Sequence, residues 1–323
     1  MSEIIKNRAE ILFLYDIKDN NPNGDPLDGN KPRIDEETNI NIVTDVRLKR
    51  TIRDYLMNFK EKEIFVREIA DDDGKIQDAK MRAQDFLKGE EIEDKDFNKQ
   101  KEMIKNKIIN QCIDVKLFGA TIPLDLKVKE KNKLKNITGS ITLIGPVQFR
   151  MGRSLHKVEL KYIKGTGAFA SKEGATQKTF REEYILPYSL ISFYGIINEN
   201  AAKHTNLEDE DVNLLLEGMW DGTKNLISRS KAGHEPRLLM KINYNENNYH
   251  IGDLDRLIKI DTKKRDEEIR DISEITLNTE ELTKRINEVK NSIESVEIKS
   301  DSRLKMNLKK ELDTSIKVNE IVW

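Results

Sequence analysis

With 323 residues the chain is long enough to bury a full core and to hold one elaborated domain or two. Charged residues make up 35% of it against 37% hydrophobic, and no stretch approaches the roughly 18 consecutive apolar residues of a membrane helix, so no membrane partner is expected. The formal net charge of −2 excludes a uniformly basic nucleic-acid binder while leaving room for a local one.

The opening segment Met1–Lys6 is too short for a secretory signal, which predicts a cytoplasmic protein. Ala9–Ile17 then reads as a strand, short and dense in aliphatic and aromatic residues. The loop from Asp19 to Pro26 follows, because its prolines remove donors and Asn23-Gly24 favours positive φ. Thr44 is a fitting N-cap for a helix that runs through Arg47, Ile52, Leu56 and Phe59. At 100° per residue Leu48, Ile52, Tyr55, Leu56 and Phe59 share one face, with Lys49, Arg50 and Arg53 on the adjoining arc. Such a stripe suits either a solvated face or a phosphate contact, and the neighbouring Asn-rich loop adds donors for the second.

From residue 61 to 134 charges are mixed and apolar anchors sparse, which predicts a helical insertion with helices between Asp85 and Asp114. Its Cys112, the single cysteine, sits in an apolar run and is expected to be a buried, inert thiol. Lys135–Val147 returns to strand character, bounded by glycine and proline. Pro146–Arg181 is locally basic, with eight Lys/Arg (Arg150, Arg153, Lys157, Lys161, Lys164, Lys172, Lys178, Arg181) against Glu159 and Glu173, and has a glycine-rich tip at Gly165–Gly174. A strand at Tyr184–Ile197, a helix at Leu207–Ile227 and a strand at Arg237–Tyr244 complete a βαββαβ order, which predicts an α+β, ferredoxin-like (RRM-like) fold. The connector Ser228–Arg237, with Arg229 and Lys231, is a second candidate backbone-contact loop. Beyond Leu277, apolar residues at Leu282, Ile286, Val289, Ile293 and Val296, then at Leu304, Leu308, Leu312 and Ile316, predict C-terminal helices.

The other chemistries fail on their spacing. Asp19, Asn21, Asn23, Gly24 and Asp25 match the start of a calcium-binding EF-hand loop, but Asn30 stands where the closing glutamate belongs and a strand precedes it. Asp25, Asp28 and Asp35 suit turn capping better than a nuclease metal site. His156, His204, His234 and His250 have no metal spacing. Lys164–Phe169 has Thr166 and Ala168 where RNP1 carries stacking aromatics, and no phosphate-binding P-loop occurs. No cofactor, metal or catalytic residue is expected.

The blocks Asn7–Asp16, Asn21–Pro26, Arg33–Asp35 and Thr44–Leu56 together resemble the Cascade backbone subunit of type I CRISPR systems, of the I-B kind and related to the I-C subunit. Thr138-Gly139, Gly145–Phe149 and Leu186–Leu190 are similar to later blocks of that family, a branch of the RAMP superfamily. The resemblance implies a hand. A ferredoxin-like palm would comprise residues 1–60, 135–149 and 184–260, with helical fingers at 61–134, a β-hairpin thumb at 150–183 and a C-terminal helical segment at 261–323. It implies copies that polymerise along one CRISPR guide RNA beside other Cascade subunits and present it for pairing with target DNA. The implied RNA contacts are Asn21, Asn23, Gly24, Lys49, Arg50 and Arg53 in the palm, and Arg150, Arg153, Lys157 and Lys164 in and near the thumb. Type III relatives cut RNA with a loop aspartate, for which Asp25 has the right location; type I relatives do not cut. The alternatives are a metal-dependent ribonuclease on this scaffold and a structural adaptor joined through the C-terminal helices.

Overall fold

A twelve-residue strand, β1 (Ala9–Asn20), runs through the centre of the molecule with its first nine residues buried. The structure is a computed structural model describing residues 3–70, 74–88, 96–130, 133–170, 178–246 and 248–323, with the backbone alone at 129–130, 133–134, 166–170 and 178–181. β1 continues past Ile17 to Asn20, with Asp19 in the left-handed region at φ 50°. Two short ladders follow, β2 (Gly24–Asp25) with β3 (Lys31–Pro32) and β4 (Ile34–Asp35) with β5 (Ile40–Val43). Helix α1 (Asp45–Lys60) starts at Thr44, whose hydroxyl accepts from the Arg47 N–H, and ends at Glu61 in the left-handed conformation.

Helices α2 (Ala79–Asp85), α3 (Phe97–Gln111) and α4 (Ile113–Phe118) pack with the hairpin β6 (Gly119–Glu130)–β7 (Lys133–Ile144). They enclose an apolar cluster of their own, including Phe65, Phe86, Ile104, Ile108, Ile122 and Ile141. The expectation of a wholly helical insertion is thus corrected: Lys135–Ile144 pairs with β6, and only β8 (Val147–Phe149) reaches the main sheet. The crossing is tight at two glycines. Gly119 has φ 69°, and a Cβ on Gly145 would lie 1.9 Å from the Phe118 backbone.

After β9 (Gly152–Lys157), a long hairpin pairs β10 (Lys161–Ala170) with the first part of β11 (Lys178–Ile197). The sequence's glycine-rich tip extends to Lys172 and Gly174, which lie outside the described residues. Helices α5 (Glu199–Thr205) and α6 (Asp209–Lys224) lead to β12 (Glu235–Tyr244). The chain ends with β13 (Lys259–Thr262), β14 (Ile275–Asn278), α7 (Glu280–Glu288), β15 (Ile293–Ser300), α8 (Leu308–Glu311) and β16 (Val318–Glu320). The predicted C-terminal helices are therefore a mixed segment. Ile293, Val296 and Ile298 enter a strand beside β12, and Leu304, Leu308, Leu312 and Ile316 are buried anchors along a path of turns around the short α8.

The main sheet runs β16-β15-β12-β1-β11-β9-β5-β4. Both of its faces are covered. Ile11, Phe13, Tyr15 and Ile17 join Leu48, Ile52 and Leu56 of α1 and Leu215, Met219 and Trp220 of α6. Leu12 and Leu14 face the C-terminal segment through Leu282, Ile286 and Leu308. A strand buried on both faces reads as an unbroken apolar run, which is why β1 shows no alternation. The architecture is mixed α+β. No helix among the described residues is long and apolar enough to cross a membrane.

Candidate nucleic-acid interface

Three segments meet at the far end of β1. The Asn20 amide donates to the Ala232 carbonyl, the Asn21 N–H reaches Ser230 O at 3.4 Å, and the Lys231 ammonium donates to Asn21 O. A recess of about 440 Å³ lies between them and the base of the β10–β11 hairpin, lined by Asn20, Asn21, Asn30, Glu183, Tyr184 and Arg229.

The loop residues singled out by sequence are used internally. Asn21 donates its amide to Asn30 O at 2.7 Å, and Asn23 Oδ1 accepts from both the N–H and the hydroxyl of Thr44 at 2.9 Å. Asn23 therefore fixes the N-cap that starts α1. Gly24 has no room for a side chain, since a Cβ would lie 2.1 Å from Asn30 Oδ1. Asp25 accepts from Arg33 Nη1 at 2.7 Å and from the Leu27 N–H at 3.0 Å.

Three cations of α1, Lys49, Arg50 and Arg53, are compensated. Lys49, mostly buried, donates to Asp45 at 3.1 Å and Gln148 at 3.3 Å. Arg53 donates at 3.0 Å to Asp114, a fully buried carboxylate that also accepts from the Phe65 and Val66 N–H groups. Arg50 pairs with Asp54 at 2.7 Å and remains half exposed. Phe59, placed by sequence on the apolar face, is exposed and stacks on Tyr55.

Near the hairpin, Arg150 binds Asp253 and Asp255 and lies 4.4 Å above the Tyr194 ring. Arg153 reaches Asp35 at 3.4 Å, Lys164 reaches Glu182 at 3.7 Å and Arg229 reaches Glu183 at 2.6 Å. Lys157 is exposed, and its ammonium has no partner among the described residues. Cys112 is fully buried, and burial pushes its thiol up to about 12.

Lys231 differs, and so does a residue that sequence reasoning passed over. Neither Lys231 nor Arg47 has a carboxylate partner among the described residues; Arg47 donates to the Thr51 hydroxyl at 3.0 Å. His234, 2% exposed, is stacked on the Tyr15 ring at 5.6 Å and has an unpartnered Nε2. Burial, then the Arg47 charge, pushes Lys231 down to about 8. Burial, then Lys231 and Arg47, pushes His234 down to about 3. The signal for Arg47 was its place one turn after the Thr44 cap, beside the loop.

The model of the family described as CRISPR-associated protein Cas7 matches residues 7–280. A relative of that name from Haloferax volcanii is 32% identical over 310 residues, covering 94% of this chain and 89% of its own. In fold, the chain is similar to one from a solved CRISPR RNA-guided surveillance complex, pre-nicking, at a TM-score of 0.52 and 11% identity, over 93% of this chain and 95% of that one. Family model and sequence relative agree over most of the length, and the chain belongs to the Cas7 family of CRISPR-associated proteins.

Proposed function

We propose that the chain is the guide-RNA-binding backbone subunit of a type I-B surveillance complex, lining up with further copies along one CRISPR RNA and holding it for pairing with target DNA. Family membership supports this. The single observation that carries it into the structure is the meeting of loop, connector and hairpin base around one recess, three segments that sequence marked separately. The order β12-β1-β11-β9, with α1 and α6 covering one face, supports the reading of this part as a ferredoxin-like palm. On this reading residues 63–144 are fingers and the β10–β11 hairpin a thumb.

The RNA would meet the exposed cations Arg50, Arg153, Lys157, Lys164 and Arg229, whose carboxylate partners, where they have them, are surface pairs worth little. Lys49 and Arg53 would act by shaping α1, and Asn21, Asn23 and Gly24 by setting the loop backbone. No catalysis is assigned, and Asp25 is taken as a partner of Arg33. The test is purification without nuclease. A raised ratio of absorbance at 260 to 280 nm, with a small RNA of defined length on extraction, is expected. Protein that carries no RNA and binds none when it is added overturns the reading. Magnesium-dependent cleavage of RNA, lost in Asp25→Ala, would make the chain a ribonuclease instead.

A further inference from the structure

Several buried or half-buried cations among the described residues meet carboxylates. Arg53 meets Asp114, Arg8 meets Glu199, Lys116 meets Asp211, and Arg237 meets Asp16 and Asp301. Arg47 and Lys231, both partly buried, stand together with no carboxylate partner among the described residues, over a buried imidazole with a free ring nitrogen. Uncompensated like charge in a partly desolvated place costs stability until a counter-charge arrives. We infer that Arg47, Lys231 and His234 form a seat for one phosphate-type anion at the end of β1.

This rests on the proposed RNA-binding role, under which the anion is a phosphodiester of the RNA; free inorganic phosphate has the same chemistry. Arg47 offers a planar set of donors of which Thr51 engages one, and Lys231 a rotatable ammonium of which Asn21 O takes one donor. His234 supplies an N–H in the tautomer protonated at Nε2. The seat reads no base, in keeping with a sequence-blind grip.

A proton follows from the charge balance. The groups facing Lys231 are Arg47 from α1, His234 from its own connector and Asn21 O from the loop just after β1; Tyr15 of β1 stacks on His234, and Tyr15, Asp54 and Arg50 act on Arg47. Tyr15 is kept protonated by burial and His234 neutral, so Lys231 is the group that titrates. An anion favours its charged form, so Lys231 takes up a proton on binding wherever it was neutral before. With the free value at about 8, the charged fraction falls from about nine-tenths at pH 7 to about one-tenth at pH 9, and affinity falls about tenfold.

The probe is a fluorescent oligoadenylate, whose bases do not titrate in this window, bound to wild type, Lys231→Arg and Lys231→Ala between pH 6.5 and 9.5. The expected result is a roughly tenfold loss for wild type from pH 7 to 9, a flat profile near the pH 7 affinity for Lys231→Arg, and weak, flat binding for Lys231→Ala. RNA binding without that pH dependence, or with the same loss in Lys231→Arg, overturns the seat and leaves the RNA-binding role standing. Absence of RNA binding at every pH overturns that role. The seat then stands only if inorganic phosphate raises the Tm of wild type and not of Lys231→Ala, and falls if it raises neither.

Discussion

Arg50 and Arg53 lie one turn apart on α1, yet their environments give them opposite work. Arg50 is half exposed beside Asp54, and Arg53 closes on a carboxylate with no solvent exposure that also holds two backbone N–H groups. Arg53→Ala should therefore destabilise by about 3 kcal/mol, because Asp114 loses its charge partner while staying buried. Arg50→Ala should stay within about 0.5 kcal/mol while weakening RNA binding. Urea unfolding and RNA titration of the two variants separate these roles; equal stability losses would contradict them. The histidines set the response to acid. His156 donates through Nδ1 to Lys157 O and accepts from the Leu190 N–H, and burial holds it below its ordinary value, as it does His234. Below about pH 6.5 these histidines bind protons in the unfolded chain that they refuse in the folded one, so their contribution to stability is full above that value and declines as the pH falls through it. Tm should drop between pH 7.5 and 5.5, and drop less in His156→Gln.

At the scale of elements, the joint between the fingers cluster and the sheet has the least tolerance. Gly119 and Gly145 pass backbone against backbone, and Gly145→Ala would press a methyl into the Phe118 carbonyl. A loss of at least about 1–3 kcal/mol is expected from the overpacking, read as a lower urea midpoint. The same joint shows how far the elements were legible in sequence. β1, α1 and its Thr44 cap were readable because apolar density, periodicity and cap chemistry agreed. Lys135–Ile144 was readable as a strand, but its partner was not, because β-branched residues do not say which sheet receives them. In the tail, spacings of four and three imitated a helix. After α7 the chain turns at Lys290–Ser292, and burial of Ile293, Val296 and Ile298 against β12 overrides the helical pattern. In the site, Asn23 was visible as a special loop residue, but its pairing with Thr44 depends on a fold-back of 21 positions. Arg47 and His234 come together only through β1 and the connector, a contact no local pattern encodes.

The whole molecule is a sheet closed on both faces, with loop, connector and hairpin base gathered at one end of its central strand. The C-terminal segment covers one face of that sheet through Leu282, Ile286 and Leu308, so it belongs to the core rather than to a separate helical arm. A protein that holds RNA by its backbone must bind all sequences alike and lose affinity as salt rises. The most direct measurement is the affinity for two single-stranded RNAs of equal length and unrelated sequence, followed by fluorescence anisotropy across a range of salt. The two curves should coincide, with the logarithm of affinity falling linearly with that of salt; a strong preference for one sequence, or affinity indifferent to salt, would contradict the assignment.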